Sequence, residues 1–153
     1  MVREPSSFAD LAVVRLLFEE YQAGLGLDLG FQGFREELAM LPGAYGRPRG
    51  RLWLAMVDGQ AGGCVGLRPF DEGACEMKRL YVRPNHRGKG VGRTLATTAV
   101  ATALTLGYRR MYLDTLSTMV EATTLYRGLG FCEVPPYRHN PSPDVLYFAL
   151  DLG

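Results

Sequence analysis

The order of the predicted elements indicates a single α/β (α+β) domain with a mixed, mostly antiparallel sheet and helices on both faces. Three apolar strand-like segments separated by hairpin-turn signals come first, which is typical of an antiparallel meander. Helical and strand patterns then alternate, which favours a parallel strand pair with a crossover helix. The chain has 153 residues, a length that suits one hydrophobic core, so we expect one domain over residues 1–153.

The N-terminal third predicts two helices. Ser7 suits the N-cap of a helix that starts at Phe8. A glycine-rich apolar loop follows, and a second short helix is predicted over residues 34–40. Only Val2 and Arg3 could form a strand before the first helix.

The remainder predicts the sheet. The meander strands are expected at residues 52–57, 61–68 and 75–82, with turn signals at Asp58-Gly59 and Asp71-Glu72-Gly73. Later helices are predicted over residues 91–106 and 119–129, each closed by glycine (Gly107 and Gly130), and later strands over residues 111–116 and 145–152.

Composition excludes several classes of protein. The formal net charge of +1 predicts no general attraction to nucleic acid or anionic membrane. Cys64, Cys75 and Cys132 form no Cys-x-x-Cys pair and are expected to be buried free thiols. His86 and His139 stand apart from other metal-ligand residues, so no metal is expected. The N-terminus lacks a signal-peptide pattern and no apolar run is long enough to span a membrane, which predicts a cytoplasmic protein.

The glycine-rich turn at residues 87–92 is the most informative motif. Its glycines lie between a predicted strand and a predicted helix, where backbone N–H groups and the helix dipole attract phosphate. Up to four basic side chains surround it: Arg83, Arg87, Lys89 and Arg93. Alternatively, the turn is a plain sharp loop and the cations are a solvated face.

Two well-known phosphate motifs do not fit this turn. A Walker P-loop would need glycine at Arg83 and Ser or Thr at Gly90. The dinucleotide fingerprint would need glycine at Arg93 or Leu95. The motif must therefore be interpreted with its neighbours in the sequence.

The turn and a second motif together resemble the GNAT (Gcn5-related) N-acetyltransferase family. The first signature, Arg/Gln-x-x-Gly-x-Gly/Ala, is met by Arg87, Gly90 and Gly92. The second, a helix with Ala-x-x-x-Tyr that ends in Gly-Phe, is met over residues 122–131. In element order the resemblance covers roughly residues 8–152.

The resemblance implies acetyl-CoA as co-substrate, bound in a V-shaped cleft where two parallel strands, residues 75–82 and 111–116, splay apart. The pyrophosphate would bind at the glycine turn, and the pantetheine arm would pair with the strand edge. The implied cofactor-binding residues are Leu80, Tyr81, Val82, Arg87, Gly88, Lys89, Gly90, Val91, Gly92, Arg93 and Met119.

Two residues are the catalytic candidates. Glu76 matches a strand glutamate of some family members and is expected to act as the general base, although it could instead only pair with Lys78. Tyr126 matches the motif tyrosine and is expected to be the general acid toward the CoA thiolate; otherwise it is a core anchor. Asp114 is a possible second carboxylate in the cleft or a helix cap.

One position departs from the family pattern. Many members carry an asparagine seven residues before the motif tyrosine, but this chain has Met119 there, so a cofactor hydrogen bond is either lost or supplied by Ser117 or Thr118. The acceptor site is expected at residues 21–34, with Asp28, and at residues 134–144, where Arg138 and His139 could hold a carboxylate.

We therefore expect an N-acetyltransferase that acts on a primary amine of a small molecule or protein, by direct attack in a ternary complex. The alternative is a non-catalytic acyl-CoA sensor. Without aromatic interleaving or a basic stripe, a nucleic-acid-binding role is not expected. A homodimer is possible by resemblance, since family members are often dimers.

Overall fold

The computed structural model describes residues 1–26 and 33–153. These form a seven-stranded sheet of order β1-β2-β3-β4-β5-β7-β6 with four helices around it. The strands are β1 (Val2–Arg3), β2 (Arg51–Val57), β3 (Gln60–Asp71), β4 (Ala74–Val82), β5 (Arg110–Leu116), β6 (Cys132–Val134) and β7 (Val145–Asp151). The helices are α1 (Phe8–Leu25), α2 (Phe34–Met40), α3 (Val91–Thr105) and α4 (Val120–Gly128).

The sheet contains one parallel strand pair, β4 with β5, among antiparallel neighbours. Strands β2, β3 and β4 form the predicted meander, and α3 is the crossover between β4 and β5. Such a crossover is required because a parallel connection must return to the same end of the sheet. The predicted mixed sheet is confirmed.

Helices cover both faces of the sheet, as predicted. On one face, α3 packs the small and apolar side chains of Leu95, Ala96 and Ala99 into a core that also contains Tyr126 from α4. On the other face, α1 and α2 form a second core, whose helix residues are Val14, Leu17, Phe18 and Phe34. The sheet is therefore buried on both sides at its centre, which agrees with the continuous apolar runs in its strands.

The predicted helix boundaries are explained by their caps. The Ser7 hydroxyl accepts a hydrogen bond of 3.1 Å from the backbone N–H of Asp10, which satisfies one free donor of α1. Arg3 of β1 forms a 2.7 Å ion pair with the Asp10 carboxylate and ties that strand to the helix. At the end of α3, Gly107 adopts a left-handed conformation with φ of +88°, as expected for a helix stop.

Three details differ from the prediction. β3 continues through Pro69 to Asp71, because Pro69 lies next to a register shift where its missing N–H is tolerated. β6 was not predicted, since its three residues form an edge strand too short for a periodic pattern to be recognised. Cys132 in β6 is exposed, so the expectation of three buried thiols is wrong there, whereas Cys64 and Cys75 are buried.

No helix among the described residues is long and apolar enough to cross a membrane. The predicted loop glycine Gly30 lies outside the described residues.

We expect Gly63→Ala to destabilise the fold, because a Cβ at Gly63 would lie 2.5 Å from the backbone oxygen of Tyr81 and 3.2 Å from the Leu95 side chain. Overpacking of this kind costs about 1–3 kcal/mol. Gly24→Ala is the control, since a Cβ there meets no atom within 4 Å and alanine is favoured in a helix. Urea unfolding measures both; equal stability of the two variants would contradict the expectation.

Candidate active site

The central parallel strands separate soon after they meet. β4 and β5 pair at only three positions, and the last pair is Glu76 with Tyr112. Both strands continue beyond that point, over residues 77–82 and 113–116, without pairing to each other. Their facing edges therefore keep backbone hydrogen-bonding groups that the sheet does not use. This is the predicted V-shaped opening.

A β-bulge in β4 begins just above the last pair. Tyr81 lies opposite Cys64 and Lys78 lies opposite Gly66, so β4 uses three steps where β3 uses two. Arg79, in the bulge, has a φ of +59°, which is unusual for a residue with a side chain. As a result, the consecutive residues Lys78 and Arg79 both point toward the α1–α2 side of the sheet, where their ion-pair and aromatic partners lie.

Arg79 is held in this conformation by a buried carboxylate. Its guanidinium donates hydrogen bonds of 3.0 and 2.9 Å to Glu37 of α2 and lies near the rings of Tyr21 and Phe34. Arg79 is only 3% exposed. Burial opposes ionisation of Glu37, but the hydrogen bonds from Arg79 lower the pKa of that carboxyl below its ordinary value.

The opening between β4 and β5 leads into a cleft of about 660 Å³. Its walls come from the upper part of β4, the glycine turn, the first turn of α3, the end of α1 and the first half of α4. The predicted cofactor residues on its wall are Leu80, Tyr81, Val82, Arg87, Gly88, Gly90, Val91, Gly92 and Met119. Lys89 and Arg93 belong to the same turn and helix start but do not line the cleft.

The glycine turn has the backbone geometry that its sequence predicts. Gly88 and Gly90 have φ values of +77° and +79°, and Gly90 is the N-cap of α3. Because glycine offers no capping side chain, the first N–H groups of α3 are left for another acceptor. A Cβ at either glycine would meet no atom within 4 Å, so the space beside the turn is open.

Three of the four predicted cations remain available beside the turn. Arg87, Lys89 and Arg93 are exposed, and Arg87 is oriented by a 2.9 Å hydrogen bond from Nε to the Val82 carbonyl. Arg83 is different, because its guanidinium binds Glu20 of α1 at 2.8 and 3.0 Å. Its charge is compensated there, so counting it at the turn was wrong.

Tyr126 lies at the inner wall of the cleft, on the first core's side. Its ring packs on Phe131 and Phe148, and burial raises the pKa of its hydroxyl above the ordinary value, so it stays protonated at neutral pH. Within residues 1–26 and 33–153, that hydroxyl makes no hydrogen bond. The ring of Tyr126 therefore packs in the core, while its hydroxyl faces the cleft.

Glu76 is fully buried at the point where the strands part, and both its oxygens are bonded. Oε1 accepts from Arg138 at 2.6 Å and from Arg68 at 3.1 Å, and Oε2 accepts from the Tyr137 hydroxyl at 2.8 Å. Lys78 is more distant, at 3.9 Å. The carboxylate thus joins β3, β4 and the segment that precedes β7.

Lys78 and Asp114 form the next pair along the opening. Lys78 Nζ lies 3.3 Å from Asp114 Oδ1, and both side chains are nearly buried. The other oxygen, Oδ2, is buried and has no hydrogen-bond partner in the described part of the chain. Asp114 is therefore a second carboxylate in the site and not a helix cap; Met119 is the N-cap of α4.

Met119 occupies the position of the family's asparagine and lines the cleft, where its sulfur accepts from the Thr115 hydroxyl at 3.7 Å. Thr118 lines the cleft beside it. Of the residues predicted for the site of the amine acceptor, Arg138 forms an ion pair with Glu76. Asp28 lies outside the described residues.

The sequence analysis did not identify Arg68, Tyr137, Glu37 or the pairing of Arg79. The Arg68 guanidinium lies 3.6 Å from a carboxylate oxygen of Glu37, so the buried ion pairs form one continuous network from α2 to the opening. The available signal was weak: Arg68 and Lys78 are charged residues within otherwise apolar strands, which is unusual unless they are paired. In the described ranges, no three His, Cys, Asp or Glu side chains cluster in a way that could hold a metal.

Comparison with known proteins decides the family. The family described as acetyltransferase (GNAT) matches residues 12–131. The chain belongs to this family. It is 43% identical over 146 residues to an uncharacterized N-acetyltransferase of Schizosaccharomyces pombe, which covers 94% of this chain and 90% of that protein.

Two further proteins extend the comparison. Human N-acetylaspartate synthetase is 32% identical over 111 residues, which are 71% of this chain and 37% of that protein. A solved Salmonella typhimurium acetyltransferase structure, described with its cofactor acetyl-CoA, superposes with a TM-score of 0.72 at 22% identity, covering 100% of this chain and 94% of that one. GNAT acetyltransferases use acetyl-CoA, so acetyl-CoA is the acyl donor that this family assignment brings.

We expect Glu76→Gln to destabilise the protein strongly. The neutral amide keeps the shape of the side chain but leaves Arg68 and Arg138 without their shared counter-charge. Removing one partner from a buried ion pair costs about 3–5 kcal/mol, and a hydrogen-bonding amide reduces that loss, so about 2–4 kcal/mol is expected.

The matched control is Glu133→Gln, which breaks an exposed 3.5 Å pair with Arg127. Exposed pairs contribute about 0–1 kcal/mol. Urea unfolding at neutral pH measures both variants. A Glu76→Gln protein as stable as the control would show that the carboxylate is not needed to balance the buried guanidinium groups.

Proposed function

We propose that this chain is an acetyl-CoA-dependent N-acetyltransferase that transfers an acetyl group to a primary amine by direct attack in a ternary complex. The observation that carries the proposal is the parting of β4 and β5 after Glu76, which opens a cleft beside a glycine turn and a helix N-terminus. The family assignment supplies the acetyl donor. The geometry supports the proposal for each part of the donor.

The turn at residues 87–92 is proposed to bind the pyrophosphate. The open space at Gly88 and Gly90 allows phosphate oxygens to approach the backbone N–H groups, and the α3 dipole adds partial positive charge. Arg87, Lys89 and Arg93 are exposed around this point. They are proposed to add electrostatic attraction to contacts that the backbone makes.

The free edge of β4 is proposed to bind the pantetheine arm. Tyr81 and Val82 pair with Cys64 and Gly63 of β3 on one edge, and their other edge faces the cleft. A peptide-like arm can add to such an edge as an extra strand. The arm would be held between β4 and α4, with Met119 and Thr118 beside it.

Tyr126 is proposed to stabilise the thiolate that leaves when the C–S bond breaks. Because burial keeps its hydroxyl protonated, Tyr126 can donate a hydrogen bond. A CoA-type thiol has a pKa of about 8.5, below that of tyrosine, so donation without full proton transfer is favoured. None of the described cleft-lining residues is cysteine, which favours direct attack over an acyl-enzyme.

The acceptor is proposed to carry a carboxylate next to its amine. Arg138, beside the opening, uses NH2 to bind Glu76, while its side chain remains 24% exposed. A partly exposed guanidinium suits a carboxylate. The name of the human relative, N-acetylaspartate synthetase, indicates that its product derives from an acidic amino acid.

An acceptor screen tests the function. Purified protein, acetyl-CoA and single amines are combined, and released CoA thiol is measured; each amino acid is compared with its α-amide. Faster turnover of the free acids supports both parts of the proposal. Turnover of the amides alone contradicts the carboxylate. Acetyl-CoA binding without release by any amine would favour the sensor alternative.

We expect Gly90→Ala to weaken acetyl-CoA binding at least tenfold. Alanine at a φ of +79° is strained by about 1–2 kcal/mol, and its methyl group enters the space proposed for phosphate. Gly107→Ala is the matched control, because it imposes similar strain, φ +88°, at the other end of α3. Titration calorimetry should give the control a wild-type Kd within about twofold; equal loss in both variants would count against the phosphate site.

We expect Tyr126→Phe to lower kcat by about 100-fold with little change in the acetyl-CoA Kd, since the lost hydroxyl acts on charge that develops in the transition state. Tyr108→Phe is the control. It removes the hydroxyl of another buried tyrosine, which donates to the Arg49 carbonyl at 2.8 Å outside the cleft. Steady-state kinetics with the best acceptor measures both, and unchanged kcat in Tyr126→Phe would remove the assigned role.

A further inference from the structure

Lysine is rare in this chain, and its placement at residue 78 is unusual. Of the 17 basic residues only Lys78 and Lys89 are lysines, and the rest are arginines. Lys89 is exposed in the glycine turn, whereas Lys78 is 3% exposed at the base of the cleft. Arginine stays charged at every accessible pH, while a buried lysine can lose its proton. Position 78 thus holds the one buried lysine among the described residues, a base that is able to become neutral.

Lys78 lines a small enclosed cavity that shares part of its wall with the cleft. The cavity volume is about 10 Å³, close to the space that one water molecule requires. Leu80, Met119 and Tyr126 line both the cavity and the cleft. Asp114, whose Oδ2 is buried without a hydrogen bond in the described residues, also lines the cavity. A water there would have polar partners on at least two sides.

The charges around Lys78 do not cancel the effect of burial. Burial lowers the pKa of Lys78 to about 8; Asp114 and Glu76 raise it in part, and Arg79 and Arg68 lower it again. Tyr21 of α1 and Tyr126 of α4 complete the cavity wall and are protonated at this pH, since burial raises the pKa of both. Near pH 8 a lysine of this kind is partly neutral and can act as a base. Transfer from an alkyl ammonium, whose pKa is about 10.4, is uphill, and attack on the thioester then draws it forward.

Glu76 is less suited to this task. Each of its oxygens already accepts from a guanidinium or a tyrosine hydroxyl. Protonation of Glu76 would remove the negative charge that Arg68 and Arg138 share. The two buried ion pairs that stabilise this part of the fold would then be lost. Glu76 is instead proposed to position the guanidinium groups of Arg68 and Arg138.

We propose that Lys78, held by Asp114 and reached through a water in the enclosed cavity, accepts the proton that the acceptor ammonium must lose before attack. This inference rests on the proposed function. One N–H bond breaks, its electron pair stays on the acceptor nitrogen, and the proton passes through the water to neutral Lys78. The nitrogen then attacks the thioester carbon, the C–S pair leaves on sulfur, and the second nitrogen proton ends on that sulfur. Lys78 returns its proton to solvent after turnover.

The first test compares Lys78→Arg with wild type across pH 6.5–10. Arginine keeps the positive charge beside Asp114 and Glu76 but cannot become neutral. We expect kcat to fall about 100-fold near pH 8, within the range for loss of a general base. The acetyl-CoA Kd should stay within about twofold. Ionisation of the acceptor affects both enzymes equally, so it cancels in the ratio of wild-type kcat to variant kcat. This ratio should rise with pH and level off above about pH 8.

The second test does not depend on a variant that must fold. Protein labelled with ¹³C at the lysine ε-carbon should give two signals, which Lys89→Arg assigns. Lys78 should titrate near pH 8, and the Lys89 signal is the reference that identifies it. Asp114→Asn should move the Lys78 midpoint lower still, because a charge that favours protonation is removed.

The outcomes separate this inference from the proposed function. A pH-independent kcat ratio, or a Lys78 signal that stays protonated to pH 10, overturns the inference while wild-type turnover leaves the acetyltransferase intact. Absence of turnover with every amine overturns the proposed function and the inference with it. Full activity in Lys78→Arg would show that the lysine has a structural role only.

Discussion

The cleft depends on the ion pair between Arg79 and Glu37. β4 gains one residue over β3 at Arg79, and that residue takes a left-handed conformation that costs roughly 1–3 kcal/mol for a side chain with a Cβ. A buried guanidinium bound through two hydrogen bonds to a carboxylate offsets this cost. If β4 kept regular register, it could continue to pair with β5. The backbone groups on the edge that faces the cleft would then form hydrogen bonds within the sheet.

The same constraint divides the two faces of the sheet by polarity. On the α3–α4 side, β4 contributes Cys75, Met77 and Leu80 to an apolar core. On the opposite side, the bulge turns two consecutive cations, Lys78 and Arg79, toward α1 and α2. Carboxylates from α2, β4 and β5 form ion pairs with these cations, so positive and negative side chains alternate along one network. The α3–α4 side of β4 is thus apolar, whereas its α1–α2 side carries a row of ion pairs beside the second hydrophobic core.

The sequence predicted those parts of the fold that repeat a local pattern. The meander, the crossover helix and the glycine turn follow from alternation, helical spacing and φ > 0 positions, and the structure confirms them. The Tyr126 position followed from a spaced motif and is found at the cleft wall. The partners of Glu76 could not be predicted, because Arg68 and Arg138 are distant in sequence and meet only after the sheet has formed. The Arg79 bulge is hidden for the same reason: Glu37, which binds Arg79, is 42 residues away in the sequence.

Backbone and side chains make unequal contributions at the glycine turn. Arg87, Lys89 and Arg93 are exposed, and charges in water are screened over about 8–10 Å at physiological salt. Their field therefore accelerates the approach of an anionic ligand more than it holds that ligand in place. The N–H groups at Gly90 and the start of α3 are fixed by the helix and need no rearrangement to meet phosphate. For this reason the affinity for the proposed pyrophosphate ligand should depend chiefly on backbone geometry, and the glycines of the turn should matter more than the number of neighbouring cations.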